Sequence, residues 1–141
     1  MVDEKDLEII RMLEENARTP LTKIAARLGV SDVAVRKRLR KLEEEGVIKG
    51  YRPKLDHAKL GYRARAIVGF DVEPEKLLGV AKAISGKPEV KFVAITSGDH
   101  MVMTEVWARD NEELRMFLEE LASRYRAKNV RPAIVVEVVK E

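Results

Sequence analysis

The chain has 141 residues, 45% hydrophobic and 36% charged, and its 27 Lys+Arg against 24 Asp+Glu give a net charge of +3. That length allows one domain or two small ones, and the apolar content supports a packed core, which excludes a disordered chain. The absence of cysteine excludes a disulfide scaffold, a thiolate zinc site and a cysteine nucleophile, and only 2 histidines argue against a histidine-rich metal site.

Glutamine is also absent, and heavy Lys, Arg and Glu usage fits a protein from a hot environment. The longest charge-free run is Phe92 to Gly98, far short of the roughly 20 residues of a spanning helix. The acidic start, Met1-Val2-Asp3-Glu4, leads straight into a helical pattern and does not resemble a signal peptide. A cytoplasmic location with no membrane partner is expected.

The excess positive charge sits in one place. Residues 1–55 hold 13 basic and 10 acidic side chains, leaving 14 of each in 56–141. Within the first segment Arg36, Lys37, Arg38, Arg40 and Lys41 crowd together, which is an electrostatic footprint for a polyanion or else a solvated helix face. The surrounding spacing decides between them.

Three helices are predicted in 1–50. The first opens with Asp3 as N-cap and Asp6 three residues on, and carries Leu7, Ile10 and Leu13, with Ile9 beside them. Asn16 ends it, and Pro20 leads the next helix, whose stripe is Leu21, Ile24, Ala25 and Leu28. Gly29 then supplies a left-handed cap, and Ser31 at once supplies an N-cap. Two helices joined that tightly cross steeply, as in a helix-turn-helix.

The third helix runs from Asp32 to about Glu45. Val35, Leu39 and Leu42 share one face; Val33, Arg36, Lys37 and Arg40 share the opposite one, flanked by Ala34 and Lys41, with Arg38 at the apolar edge. Small and basic side chains fill the early turns and Glu43–Glu45 the last. A recognition helix needs this polarity, since its N-terminal part enters the major groove and its far end leaves it. The candidate DNA-binding residues are Lys23, Ser31, Asp32, Val33, Ala34, Arg36, Lys37, Arg38, Arg40 and Lys41. Arg36 and Lys37 suit bases or phosphates, and Lys41 and Lys23 suit phosphate. Ser31 suits a phosphate or serves only as a cap, and Val33 and Ala34 suit a thymine methyl. Val47–Pro53 reads as a short strand leading into a linker, assigned to 51–61.

From Gly61 the period shifts toward two. Strands are predicted over Tyr62–Val72, Val90–Thr96, His100–Ala108 and Val130–Lys140. One helix opens at Pro74 and carries Leu77, Leu78, Ala81 and Ile84. Another starts near Asn111, capped by Asp110, with Leu114, Phe117, Leu118 and Leu121. The order βαββαβ over 62–141 is the ferredoxin-like split unit, so the whole chain is α+β. Two helices cover one face of such a sheet, yet the strands are apolar on both. A second copy is the simplest cover, and a homodimer through the sheet is expected.

The chain also resembles a known family. Ile24-Ala25-x-x-Leu28-Gly29-Val30-Ser31, Val35-x-x-Arg38-x-x-x-Leu42-Glu43-x-x-Gly46-Val47-Ile48, Gly50-Tyr51 and Leu55-Asp56-x-x-x-Leu60-Gly61-Tyr62 are similar to the Lrp/AsnC, or feast/famine, transcription regulators. The resemblance implies a helix-turn-helix domain, a β linker, and a ferredoxin-like effector and oligomerisation domain. It also implies dimers that assemble into tetramers or octamers on double-stranded DNA, and an amino-acid effector bound where dimers meet. Its effector loop falls on Thr96, Gly98, Asp99, His100 and Met101, where His100 replaces the common Tyr and Met101 the common Asp. A thioether cannot pair with an α-amino group, so the usual effector is in question.

Other chemistries fit poorly. Ser97, Asp99 and His100 are too close in the chain to converge as a triad. His57 and His100 lack companions at metal-ligand spacing, and the glycines form no phosphate loop. No enzyme activity and no cofactor are expected. Trp107, Phe92 and Phe70 suit a core or a dimer interface better than base stacking. Met101–Trp107 has one aromatic, one acid and no base, which disfavours RNA on the sheet. A metabolite-sensing subunit of an enzyme complex accounts for the C-terminal half but leaves the helix-turn-helix unused.

Overall fold

The computed structural model describes residues 1–141, which divide into two compact units, Met1–Lys54 and Leu55–Glu141. In the first, Asp3 caps helix α1 (Glu4–Glu15) through a reciprocal box: the Asp6 N–H donates to Asp3 Oδ1 at 2.9 Å and the Asp3 N–H to Asp6 Oδ2 at 3.1 Å. Asn16 ends α1, and Pro20 stands as N-cap of α2 (Leu21–Leu28). Gly29 closes α2 at φ +66°, where an L side chain is strained, and the Val30 N–H returns to the Ala25 carbonyl. Ser31 then starts α3 (Asp32–Glu44), its hydroxyl accepting the Ala34 N–H at 3.1 Å.

Ile9, Ile24, Ala25, Val35 and Leu42 form the buried core of this unit. Each large apolar side chain among them contributes about 1.5–3 kcal/mol by leaving water. The stripe predicted on α1 is rotated, because Ile9 is buried and Leu7 is half exposed.

No strand forms over Val47–Pro53. The Val47 and Ile48 N–H groups both donate to the Leu42 carbonyl, at 2.9 and 3.1 Å, behind Gly46 at φ +73°. The donors a strand needs are spent on finishing α3, and the segment that follows meets no neighbouring strand. The linker therefore carries no β structure. His57–Gly61 instead forms turns, with the Tyr62 N–H returning to the His57 carbonyl.

The second unit runs β1 (Ala64–Asp71), a 3-10 turn (Pro74–Lys76), α4 (Leu77–Ser85), β2 (Val90–Ile95), β3 (Val102–Ala108), α5 (Asn111–Ser123) and β4 (Lys128–Ile134). The sheet order is β2-β3-β1-β4, all antiparallel, the predicted ferredoxin-like arrangement. Ala66, Val68 and Phe70 of β1 and Val102 and Val106 of β3 face Val80 and Ile84 of α4 and Leu114, Phe117 and Leu121 of α5. Asp110 caps α5 by accepting the Glu113 N–H at 2.8 Å. Leu78, placed on the apolar stripe by its spacing, is exposed instead.

Every strand is shorter than predicted, β4 most of all. The Val135 N–H to the Arg65 carbonyl is its last ladder bond with β1. Just before β1, the Arg63 N–H turns to the Arg109 carbonyl, so nothing remains for residues 136–141 to pair with. On the sheet face away from the helices lie Arg65, Ile67, Gly69, Phe92, Met103, Glu105 and Trp107, of which Ile67 and Phe92 are strongly exposed.

Candidate nucleic-acid interface

Buried Val35 and Leu42 fix the rotation of α3 about its axis, and that rotation turns Arg36, Lys37 and Arg40 outward. None of these three makes an ion pair, whereas nine other lysine and arginine side chains do. Val33, 69% exposed, stands beside them in the first turn with Ser31 and Asp32. Lys41 keeps only a loose 4.0 Å approach to Glu45. Lys23, on α2, is exposed and unpaired. Ala34, Lys37, Arg38, Arg40 and Lys41 line one open depression of about 710 Å³, whose acidic side is Asp3, Asp6 and Glu44.

Arg38 has a different role from its neighbours. Its Nη1 donates to Asp3 Oδ2 at 2.7 Å and to Asp6 Oδ1 at 3.1 Å. One guanidinium thereby joins the middle of α3 to both carboxylates that cap α1. The hydrogen bond from Arg38, with the Asp6 N–H behind it, lowers the Asp3 carboxyl to about 2. The acidity of Asp3 and Asp6 at a helix start is visible in the sequence, but their partnership with the basic face is not, because only the fold brings Arg38 to them.

The candidate effector loop is held from several sides. Thr96 Oγ1 donates to the His100 carbonyl at 2.7 Å, and the Thr96 N–H to the Met101 carbonyl at 2.9 Å. Gly98 takes φ +107° at the tip beside exposed Asp99. The Met101 N–H donates to Asp71 Oδ1, and Asn129 Nδ2 to Asp71 Oδ2, both at 2.9 Å; these bonds, Asn129 foremost, lower the Asp71 carboxyl. The His100 ring lies on Gly69, where a Cβ would come within 2.4 Å of its Cδ2. Its Nδ1 is buried without a hydrogen-bond partner, 4.0 Å from Asp71 Oδ1. Met101 packs against the helix-covered core, so its side chain is engaged in packing. Asp71 and Asn129 belong to this loop's surroundings and were not foreseen, since they come from distant strands.

A cation-bearing third helix behind a tight turn, joined to a βαββαβ unit, defines a two-domain helix-turn-helix protein. Family models agree: an AsnC-type helix-turn-helix domain matches residues 2–43, and an Lrp/AsnC ligand binding domain matches residues 65–141. The HTH-type transcriptional regulator LrpA of Pyrococcus horikoshii is 43% identical over 141 residues, covering 99% of this chain and 100% of that one. FL11, another HTH-type transcriptional regulator of the same organism, is 31% identical and covers 99% of this chain and 93% of its own. Among solved structures, a feast or famine regulatory protein of M. tuberculosis complexed with L-methionine superposes with a TM-score of 0.89 at 23% identity, covering 100% of this chain and 96% of that one. The chain belongs to the Lrp/AsnC family of HTH-type transcriptional regulators.

Proposed function

We propose that this chain regulates transcription in the cytoplasm by binding double-stranded DNA as a homodimer. The α3 helix lies in the major groove, with Arg36, Lys37 and Arg40 toward bases and phosphates and Lys23 and Lys41 toward phosphates. Ser31, Asp32, Val33 and Ala34 sit at the groove-facing start of the helix. The observation that carries this reading is the unpaired, outward cationic set on α3. Arg38 is left out of the contact set because Asp3 and Asp6 already engage it.

The dimer pairs through the open sheet face, where exposed Ile67 and Phe92 have no covering helix. Two α3 helices then read half-sites one helical turn apart, about 34–36 Å, or a multiple of that, and dimers assemble further into tetramers or octamers. An amino acid or a related small molecule at Thr96–Met101 shifts the balance between assembly states through unequal affinity for them. The ligand-binding family match over 65–141 supports an effector, although Met101 removes the usual acid. No catalytic step is assigned.

Selection of bound fragments from random DNA tests the reading. The expected result is a pseudo-palindromic site with two equal half-sites, and complexes that weaken steeply with salt. Recovery of no enriched sequence, with no complex on the chain's own promoter region at low salt, overturns it. A thermal-shift screen of amino acids at millimolar concentration tests the effector, because a ligand that binds only the folded chain raises its melting temperature.

A further inference from the structure

We propose that His100 and Asp71 form a proton-operated latch on the Thr96–Met101 loop: one proton taken up at His100 Nδ1 turns a long approach to Asp71 into a charged hydrogen bond and tightens the loop. The inference deepens the effector reading given above, and its meaning for regulation rests on that reading.

Asp71 gathers one end of the sheet. It closes β1, and its carboxylate reaches the strands on either side: Oδ1 accepts the Met101 N–H just before β3, and Oδ2 accepts Asn129 Nδ2 on β4, both at 2.9 Å. Asn129 holds φ +54°, a left-handed conformation uncommon outside glycine, where the register between β1 and β4 shifts. These bonds, Asn129 foremost, favour the ionised carboxylate. A carboxylate has about four lone-pair sites, so Asp71 has room for a further donor.

His100 stands beside that carboxylate with nothing to bond. Its Nδ1 is shielded from solvent, has no hydrogen-bond partner and lies 4.0 Å from Asp71 Oδ1, beyond hydrogen-bonding distance. Gly69 gives the ring its bed, since any Cβ there would collide with the imidazole. Because Nδ1 is enclosed by its own chain, Asp71 is the acceptor at hand. A neutral ring leaves either a lone pair facing the carboxylate or a donor too far from it, and both are costly in a shielded place. A charged ring carries an N–H at Nδ1 in every case, is drawn toward Asp71 and fills an open lone pair.

The loop stems are tied to this movement. The His100 carbonyl accepts Thr96 Oγ1 at 2.7 Å, and the Met101 carbonyl accepts the Thr96 N–H at 2.9 Å. The other charges brought to this end are Arg131 and Lys128 of β4, opposite Gly69 and Asp71, and Asp99 of the loop. All three are exposed, so solvent screens them. Glu105, further along β3, is engaged by Arg65 and Trp107. Otherwise β3 offers the Met103 thioether, and the helices pack on the opposite face. Asp71 is thus the charge that decides the response of the ring.

The test is hydrogen exchange read by mass spectrometry in the full chain at pH 5.5 and pH 8, on peptides spanning 96–103, corrected for the intrinsic rate at each pH. Histidine is the side chain that ordinarily changes charge in this window, and the chain has only 2. Loop protection is expected to be about tenfold higher at pH 5.5. His57→Gln keeps that difference, whereas His100→Tyr abolishes it. Asp71→Asn, which removes the charge and leaves an oxygen for the Met101 N–H, abolishes it as well; circular dichroism confirms that each variant is folded. Equal wild-type protection at the two pH values overturns the latch, and so does a difference that survives in His100→Tyr. A screen in which no amino acid raises the melting temperature at either pH overturns the effector reading alone.

Discussion

Arg38 and Asp3, 35 residues apart in the chain, meet at 2.7 Å and fasten α3 to the start of α1. The same guanidinium holds Asp6, so a cation in the middle of the basic run serves the domain's own geometry. Arg38→Ala is expected to lower the melting temperature of the N-terminal unit by a few degrees, more than an ordinary surface pair would, because two carboxylates lose their partner together. Its DNA affinity falls with that loss. A variant that melts like wild type and loses affinity only in proportion to phosphate contacts contradicts this assignment.

Arg36 and Lys37 should behave in the opposite way. Neither makes an ion pair, so Arg36→Ala and Lys37→Ala leave melting within a degree or so of wild type. Each weakens DNA binding by roughly tenfold. A base contact loses sequence preference, whereas a phosphate contact weakens all sequences alike and lowers the salt slope by about one. Binding isotherms across a salt series separate these outcomes.

Acid should loosen the Asp3–Arg38 tie. Asp3 sits at about 2 in the folded chain, below the ordinary value of about 3.9 that the unfolded chain keeps. A lowered folded value favours the charged carboxylate, so its stabilisation is complete above about pH 4 and fades as pH falls toward 2. Asp3→Asn is expected to flatten this part of the stability-against-pH curve and to cost stability at pH 7. Melting curves between pH 2 and pH 7 check the sign.

Gly69 and His100 form a tight fit that can be tested as a pair. A Cβ at residue 69 would lie 2.4 Å from His100 Cδ2 and 2.7 Å from Cγ, so the ring must move bodily. Gly69→Ala is expected to destabilise the C-terminal unit by about 1–3 kcal/mol, as overpacking does. His100→Ala should absorb most of that, so the double variant is more stable than the sum of the single changes predicts. Strict additivity in a double-mutant cycle rules out the clash.

The α3 cap is a separate and simpler case. Ser31 Oγ accepts the Ala34 N–H at 3.1 Å, and Ser31→Ala removes that acceptor. The expected loss is about 1 kcal/mol. Retention by Ser31→Asp, which can also cap, shows that the hydroxyl acts at the helix end, and urea titration measures both.

Local features were legible in the sequence. Asp3, Gly29, Ser31 and Asp110 each act through neighbours within a few residues, and all four cap as their spacing suggested. The sheet order followed from the alternation of strands and helices. What escaped depended on distant partners. The Val47–Pro53 segment has strand-forming side chains, but the α3 terminus takes its first donors. The 136–141 segment alternates well, but its ladder with β1 stops at the bond from the Val135 N–H to the Arg65 carbonyl. Arg38 looked like its basic neighbours until the fold brought Asp3 and Asp6 to it. The Met101 position kept its place in the loop but turned its side chain to the core.

The early end of β4 has a practical consequence. Val136 and Val139 stand almost wholly in solvent, in a stretch with high β-propensity and no ladder partner. Bare backbone of this kind is a template for unregulated strand addition and aggregation. Glu137 and Lys140 interrupt the run and act as gatekeepers. If association covers this stretch, dilution exposes it, and the protein will keep better in concentrated stocks than in dilute ones.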